Sequence, residues 1–195
     1  MKRRAFAQAL TGLGMSVLAT FTVVTPNRQD GVAFAQDSIF DTKHIVPFVP
    51  TPQLVVDKMV ELARIKKGDV VYDLGSGDGR IVITAAKKGA KAVGFEIDGD
   101  LVKQARENIR KAGVHAQAEI RQQDIRTVDL SAASVVTMYL LPDVNLQLKP
   151  KILSQLKPGS RVVSHAFDMG DWQPHRIERF EGRILYLWTI PSQTR

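Results

Sequence analysis

The chain has 195 residues, 44% hydrophobic and 24% charged, enough for one globular domain whose core needs no disulfide or metal staple. Its 27 Lys and Arg exceed its 20 Asp and Glu to give +7, but no basic run stands out, which argues against a nucleic-acid partner. There is no cysteine, which removes thiol catalysis and thiolate metal sites and leaves the redox compartment open.

The N-terminus reads as an export signal. Lys2-Arg3-Arg4 forms a charged start, residues 5–24 carry no charge, and Ala33-Phe34-Ala35 has the small-x-small pattern of a cleavage site. Arg3-Arg4-Ala5-Phe6 also resembles a twin-arginine signal. Residues 1–35 are therefore expected to be removed near Ala35, leaving an extracytoplasmic protein. The alternative is an uncleaved anchor, since about 20 apolar residues span a bilayer, and membrane association would then run through this segment. A transit peptide ranks below both, because Ser and Arg are not enriched.

Residues 36–50 read as an irregular linker, with Pro47 and Pro50 breaking any helix, and residues 51–195 as the folded domain. Thr51-Pro52 predicts a helix over 52–65, with Thr51 as its cap and Val55, Met59 and Leu62 at helical spacing. Residues 70–74 form the first strand, and 80–88 a helix closed by Gly89. Residues 92–97 form the second strand. Asp98 caps a helix that runs to Ala112 and stops at Gly113. A polar third strand covers 116–122 and an apolar fourth 133–140. Residues 142–156 read as mostly helical, with Pro150 breaking or kinking the run. The fifth strand covers 161–167. Two more, 176–180 and 183–190, are joined at Glu181-Gly182 as a hairpin. Strands alternating with helices predict a parallel sheet with right-handed crossovers, and the hairpin adds an antiparallel end.

Function is concentrated where the first strand ends. Asp73-Leu74-Gly75-Ser76-Gly77-Asp78-Gly79 passes from a buried strand through a glycine loop into a helix, letting a ligand approach bare backbone. Arg80 stands where a dinucleotide loop places its last small residue. Asp73 and Asp78 flank the loop, which suits a cationic ligand better than a pyrophosphate. Glu96 ends the second strand, where an acid can accept from both ribose hydroxyls of a nucleoside. Asp124, followed by Ile125, comes after the third strand, where a carboxylate can accept from an adenine amine.

These residues resemble the class I methyltransferases dependent on S-adenosylmethionine: residues 73–79 look like that family's first motif, and Glu96 and Asp124 like its ribose and adenine acids. The resemblance covers about residues 50–190. It implies an α/β, Rossmann-like methyltransferase fold with a mainly parallel seven-stranded sheet flanked by helices. Pro47-Phe48-Val49-Pro50-Thr51-Pro52, with Asp73 to Ile81 and Ala85-Ala86, is similar to the small lysine methyltransferases that modify the ATP synthase c subunit and the adenine nucleotide carrier. That likeness implies a protein lysine as methyl acceptor and places Thr51 beside the cofactor. The cofactor-binding set is then Thr51, Asp73, Gly75, Ser76, Gly77, Glu96, Asp124 and Ile125, with Tyr139 the candidate catalytic residue at the end of the fourth strand.

Small-molecule O- or N-methylation is the next reading, ahead of a nicotinamide-dependent oxidoreductase and a non-catalytic cofactor-binding domain. Leu140-Leu141-Pro142 lacks the Asn-Pro-Pro-aromatic pattern of base-amine methylation. No metal site is expected, because His165, Asp168 and Asp171 read as part of an irregular loop, and His165 as a packing or surface histidine.

Overall fold

The computed structural model describes residues 48–192. The export signal and residues 36–47 of the linker lie outside this range; residues 48–50 have neither helix nor strand.

Five strands run parallel: β1 (Val70–Leu74), β2 (Lys91–Glu96), β3 (Ala118–Gln122), β4 (Val135–Met138) and β5 (Arg161–His165). The hairpin β6 (Arg176–Phe180) and β7 (Arg183–Thr189) completes a seven-stranded sheet of order β3-β2-β1-β4-β5-β7-β6, with β7 antiparallel to β5. Four helices accompany it: α1 (Gln53–Leu62), α2 (Arg80–Lys87), α3 (Gly99–Lys111) and α4 (Pro142–Gln155). The expected mainly parallel sheet with an antiparallel end is thus observed. Strand order reverses between β1 and β4, the place where open α/β sheets bind ligands.

The central strands read as apolar runs because both faces are covered. Val71, Val135 and Val163 pack beneath α1, α2 and α3 with Val55, Met59, Val82, Ala85 and Ala105. Tyr72, Leu74, Phe95, Val136 and Met138 face the other way, against Leu148 and Ile152 of α4 and the C-terminal Trp188. Side chains alternate along a strand, so Asp73, Thr137 and His165 share the face that α1 covers. β6 is an edge strand and carries three charged residues among its five, Arg176, Glu178 and Arg179, which discourages further pairing.

Three local readings are corrected. The helix beginning near Thr51 starts at Gln53, with Pro52 at the cap position, and its end receives no side-chain cap. Thr51 instead turns its hydroxyl toward β5. Pro150 lies inside α4, which runs unbroken from Pro142 to Gln155. Pro150 lacks the N–H that would pair with the carbonyl of Leu146, but both residues are exposed, so the carbonyl it leaves unpaired is not buried in the core. Strands β4 and β5 are shorter than their apolar runs. Tyr139 to Leu141 leaves the sheet to enter α4, and β5 stops at His165 because Ala166 takes φ 67°.

Candidate functional site

The C-terminal edge of the parallel strands carries a connected group of polar residues. Asp73 is 2% exposed and accepts a 2.7 Å hydrogen bond from Thr137 Oγ1 on β4. Burial pushes its carboxyl up to about 7, opposed by the Thr137 hydrogen bond and aided by the nearby charges of Glu96 and Asp78. A carboxylate in this position is under-compensated, a state that favours a cationic partner.

The glycine loop is laid onto β2. The Phe95 carbonyl accepts from the N–H groups of Gly75 and Ser76 at 2.9 and 3.0 Å. Gly75, Gly77 and Gly79 all have left-handed φ values of 76°, 52° and 81°. Contact is so close that a Cβ on Gly94 would lie 2.6 Å from Ser76 and from Ile120, and one on Gly77 2.2 Å from the Phe48 ring. Ser76 is buried, and its hydroxyl has no hydrogen-bond partner.

Glu96 binds the loop to its own strand end. Its Oε2 accepts from Gly77 N–H at 2.9 Å, and its Oε1 from the N–H groups of Ile97 and Asp98 at 2.8 and 3.0 Å. Asp98 caps α3 as expected, accepting from Asp100 and Leu101. Asp124 stands after β3 at the same edge, joined to Glu96 through the Gln123 N–H to Glu96 carbonyl bond of 2.9 Å. Its carboxylate takes hydrogen bonds from the Arg126 guanidinium and backbone, and these hold it below the usual range. Each carboxylate oxygen has two acceptor sites, so the pairing leaves capacity. Ile125 packs against the cluster on the α4 side.

The other wall is the strap that precedes α1. Arg80 donates to the Thr51 carbonyl at 2.7 Å while its fork engages Asp78. Thr51 Oγ1 lies 3.0 Å from Nδ1 of His165, and the His165 ring sits under Tyr139 with centroids 4.0 Å apart. The structure therefore links Thr51, Asp73, Gly75, Ser76, Gly77 and Glu96 around one loop and reaches Tyr139 through His165. Among the described residues, no three His, Asp or Glu side chains gather as a metal site.

Sequence reasoning took His165 for packing or surface. It is fully buried, and burial, with Arg183 adding, lowers its pKa to about 4, so the ring is neutral. The available signal was positional: His165 ends an apolar strand at the same edge as Asp73 and Glu96. Thr137, the donor to Asp73, is a second polar residue inside a buried strand that went unremarked.

The geometry has counterparts among known proteins. A family model described as the ANTKMT methyltransferase domain matches residues 73–176. A protein-lysine N-methyltransferase of Saccharolobus islandicus is 48% identical over 151 residues, which cover 74% of this chain and 94% of that one. The human lysine N-methyltransferase of the ATP synthase c subunit is 36% identical over 186 residues, 95% of this chain and 75% of the relative. A crystal structure described as an RNA methyltransferase from Salinibacter ruber in complex with S-adenosyl-L-homocysteine aligns with TM-score 0.73 and 56% identity, covering 75% of this chain and 97% of that one. This chain belongs to the ANTKMT methyltransferase domain family and is an S-adenosylmethionine-dependent methyltransferase with that family's Rossmann-like fold.

Proposed function

We propose that the protein methylates a lysine amine of a protein acceptor. The observation that carries this reading is the 48% identity to a protein-lysine N-methyltransferase across 94% of that relative's length. The residues at the site fit the cofactor. Asp73 is a buried carboxylate short of positive charge, suited to an ammonium, and the buried Ser76 hydroxyl has no partner of its own. Glu96 and Asp124 are placed to accept from ribose hydroxyls and the adenine amine, and Thr51, Gly75, Gly77 and Ile125 complete the wall.

When bound, S-adenosylmethionine supplies a methyl group activated by a sulfonium. What the chain adds is orientation and a dry approach. The acceptor nitrogen must be neutral to offer a lone pair, and an apolar entrance favours the neutral amine over the ammonium. Phe48, Val49 and Leu141 are exposed apolar residues, Phe48 lying over Gly77 of the loop and Leu141 following the end of β4 two residues after Tyr139. Methyl transfer forms a nitrogen–carbon bond as the sulfur–carbon bond breaks, and the amine proton leaves to solvent.

The Salinibacter neighbour favours a second reading, an RNA acceptor. The apolar entrance argues against it, since phosphate-backbone recognition needs clustered cations. Labelled methyl transfer from the cofactor into a lysate of the source cell distinguishes the two. Label removed by protease and recovered as methyl-lysine supports the proposal; label removed by ribonuclease overturns it. For residues 1–35 we propose export with cleavage near Ala35, which N-terminal sequencing of the mature protein tests. A mature chain that retains Met1 in the membrane fraction would support the anchor instead.

A further inference from the structure

His165 is an expensive residue for its position. Its ring is 0% exposed, Nδ1 meets only Thr51, and Nε2 has no partner. A buried polar atom without a partner lowers stability, and a phenylalanine would occupy the same space without one. The next residue adds a second cost. Ala166 takes φ 67°, and Phe167 N–H donates back to the His165 carbonyl at 2.9 Å, closing a strained γ-turn. That turn brings Phe167 parallel to Tyr139, with ring centroids 6.4 Å apart and planes 20° from each other. Tyr139 is thus fixed by His165 and by Phe167, both from the end of β5.

The tether has two ends. Thr51 reaches His165 through its hydroxyl, and its carbonyl accepts from Arg80 at the start of α2, whose guanidinium also holds Asp78 of the glycine loop. One residue of the strap therefore connects the loop to the aromatic wall. Two destabilising features sit side by side at the sheet edge that binds ligand, which is where strain persists for function.

We propose that His165, held by Thr51, is a positioning residue that sets the Tyr139 ring against the methyl acceptor. The role rests on the methyl-transfer reading above but not on the acceptor's being a protein. Either tautomer serves: Thr51 donates to Nδ1, or Nδ1–H donates to Thr51. The ring stays neutral in both, in keeping with its burial.

The test is the pair replacement Thr51→Val with His165→Phe, beside each single variant. Removing both partners of a buried hydrogen bond and the orphan nitrogen leaves an apolar site of similar shape, so the double variant should melt at or above the wild-type Tm. Measured on the single variant His165→Phe, whose position lies outside the cofactor-binding set, the affinity for S-adenosylhomocysteine should stay within about threefold of wild type, while the initial rate of labelled methyl transfer into lysate macromolecules at saturating cofactor falls about tenfold or more. A residue that serves only folding predicts the opposite: a stable double variant with wild-type turnover, and that result overturns the proposal. So does a rate loss matched by an equal loss of cofactor affinity. If the double variant does not fold, Thr51→Val alone carries the test, since it cuts the same tether from the strap; unchanged turnover in it overturns the proposal. Should wild type label RNA and not protein, the acceptor reading fails, and the same comparison on the RNA fraction still decides the role of His165.

Discussion

Through Asp73, cofactor affinity should rise with pH while the stability of the free fold falls. In the free protein its pKa lies at about 7 against an ordinary 3.8, because burial penalises the charge. At roughly 1.4 kcal/mol per pKa unit, ionised Asp73 costs the fold up to about 4 kcal/mol. An acid whose folded-state pKa is raised binds its proton more tightly when folded. Its contribution is therefore absent below pH 3.8, and stability declines as pH rises from there to about 7. The cofactor ammonium needs the ionised form. Below the free-protein pKa, affinity should fall by up to tenfold per pH unit, about tenfold weaker at pH 6 than at pH 8. Calorimetric titration with S-adenosylhomocysteine checks this, and at pH 7 binding should release about half a proton, visible on comparing buffers of different ionisation enthalpy. Asp73→Asn should raise Tm at pH 8, raise it less at pH 5, leave it little changed below pH 3.8, and weaken binding by about a hundredfold. An affinity independent of pH between 6 and 8, together with an Asp73→Asn variant less stable at pH 8, would refute the account of Asp73 as a buried, under-compensated charge.

Other perturbations separate ligand contacts from scaffold. Glu96→Ala removes the acceptor of three backbone N–H bonds, so it should both lower Tm by several degrees and weaken S-adenosylhomocysteine binding at least about tenfold in calorimetry. Gly94→Ala places a methyl 2.6 Å from Ser76 and Ile120, which should cost about 1–3 kcal/mol in denaturant unfolding and lower cofactor affinity by displacing the loop. Arg161→Met breaks the ion pair with Asp69 and the bond to the Ala63 carbonyl at the opposite end of the sheet. It should cost about 2–4 kcal/mol in urea melts while leaving the cofactor dissociation constant unchanged.

Much of this arrangement was legible in the sequence because it is local. An apolar run ending in Asp73, three glycines at alternate positions and an acid at the end of the next strand are each written within a few residues. Their joint order specified the sheet and the loop. The strands' cut-off points were not legible, since β5 ends where Ala166 adopts a left-handed φ that alanine rarely takes. Thr51 looked like a helix cap because Ser, Thr, Asp and Asn favour that place. Its hydroxyl goes elsewhere because a buried histidine outcompetes an exposed helix end for the bond. His165 was missed for the same reason: its partner is 114 residues distant in the chain, beyond any periodicity or spacing rule.

That separation has a consequence for how the protein is made. Ribosomes add about 5–20 residues per second, so Thr51 waits at least several seconds for His165 to emerge. Even then β5 is a bare sheet edge, because its neighbour β7 follows it in the chain and pairs Leu185 with His165. A nascent chain halted before β7 would already carry the glycine loop and the residues of the aromatic wall, but it would expose β5 as an unpaired strand to other chains. The hairpin that looks like an appendix to the sheet is therefore what covers the strand edge on which His165 stands.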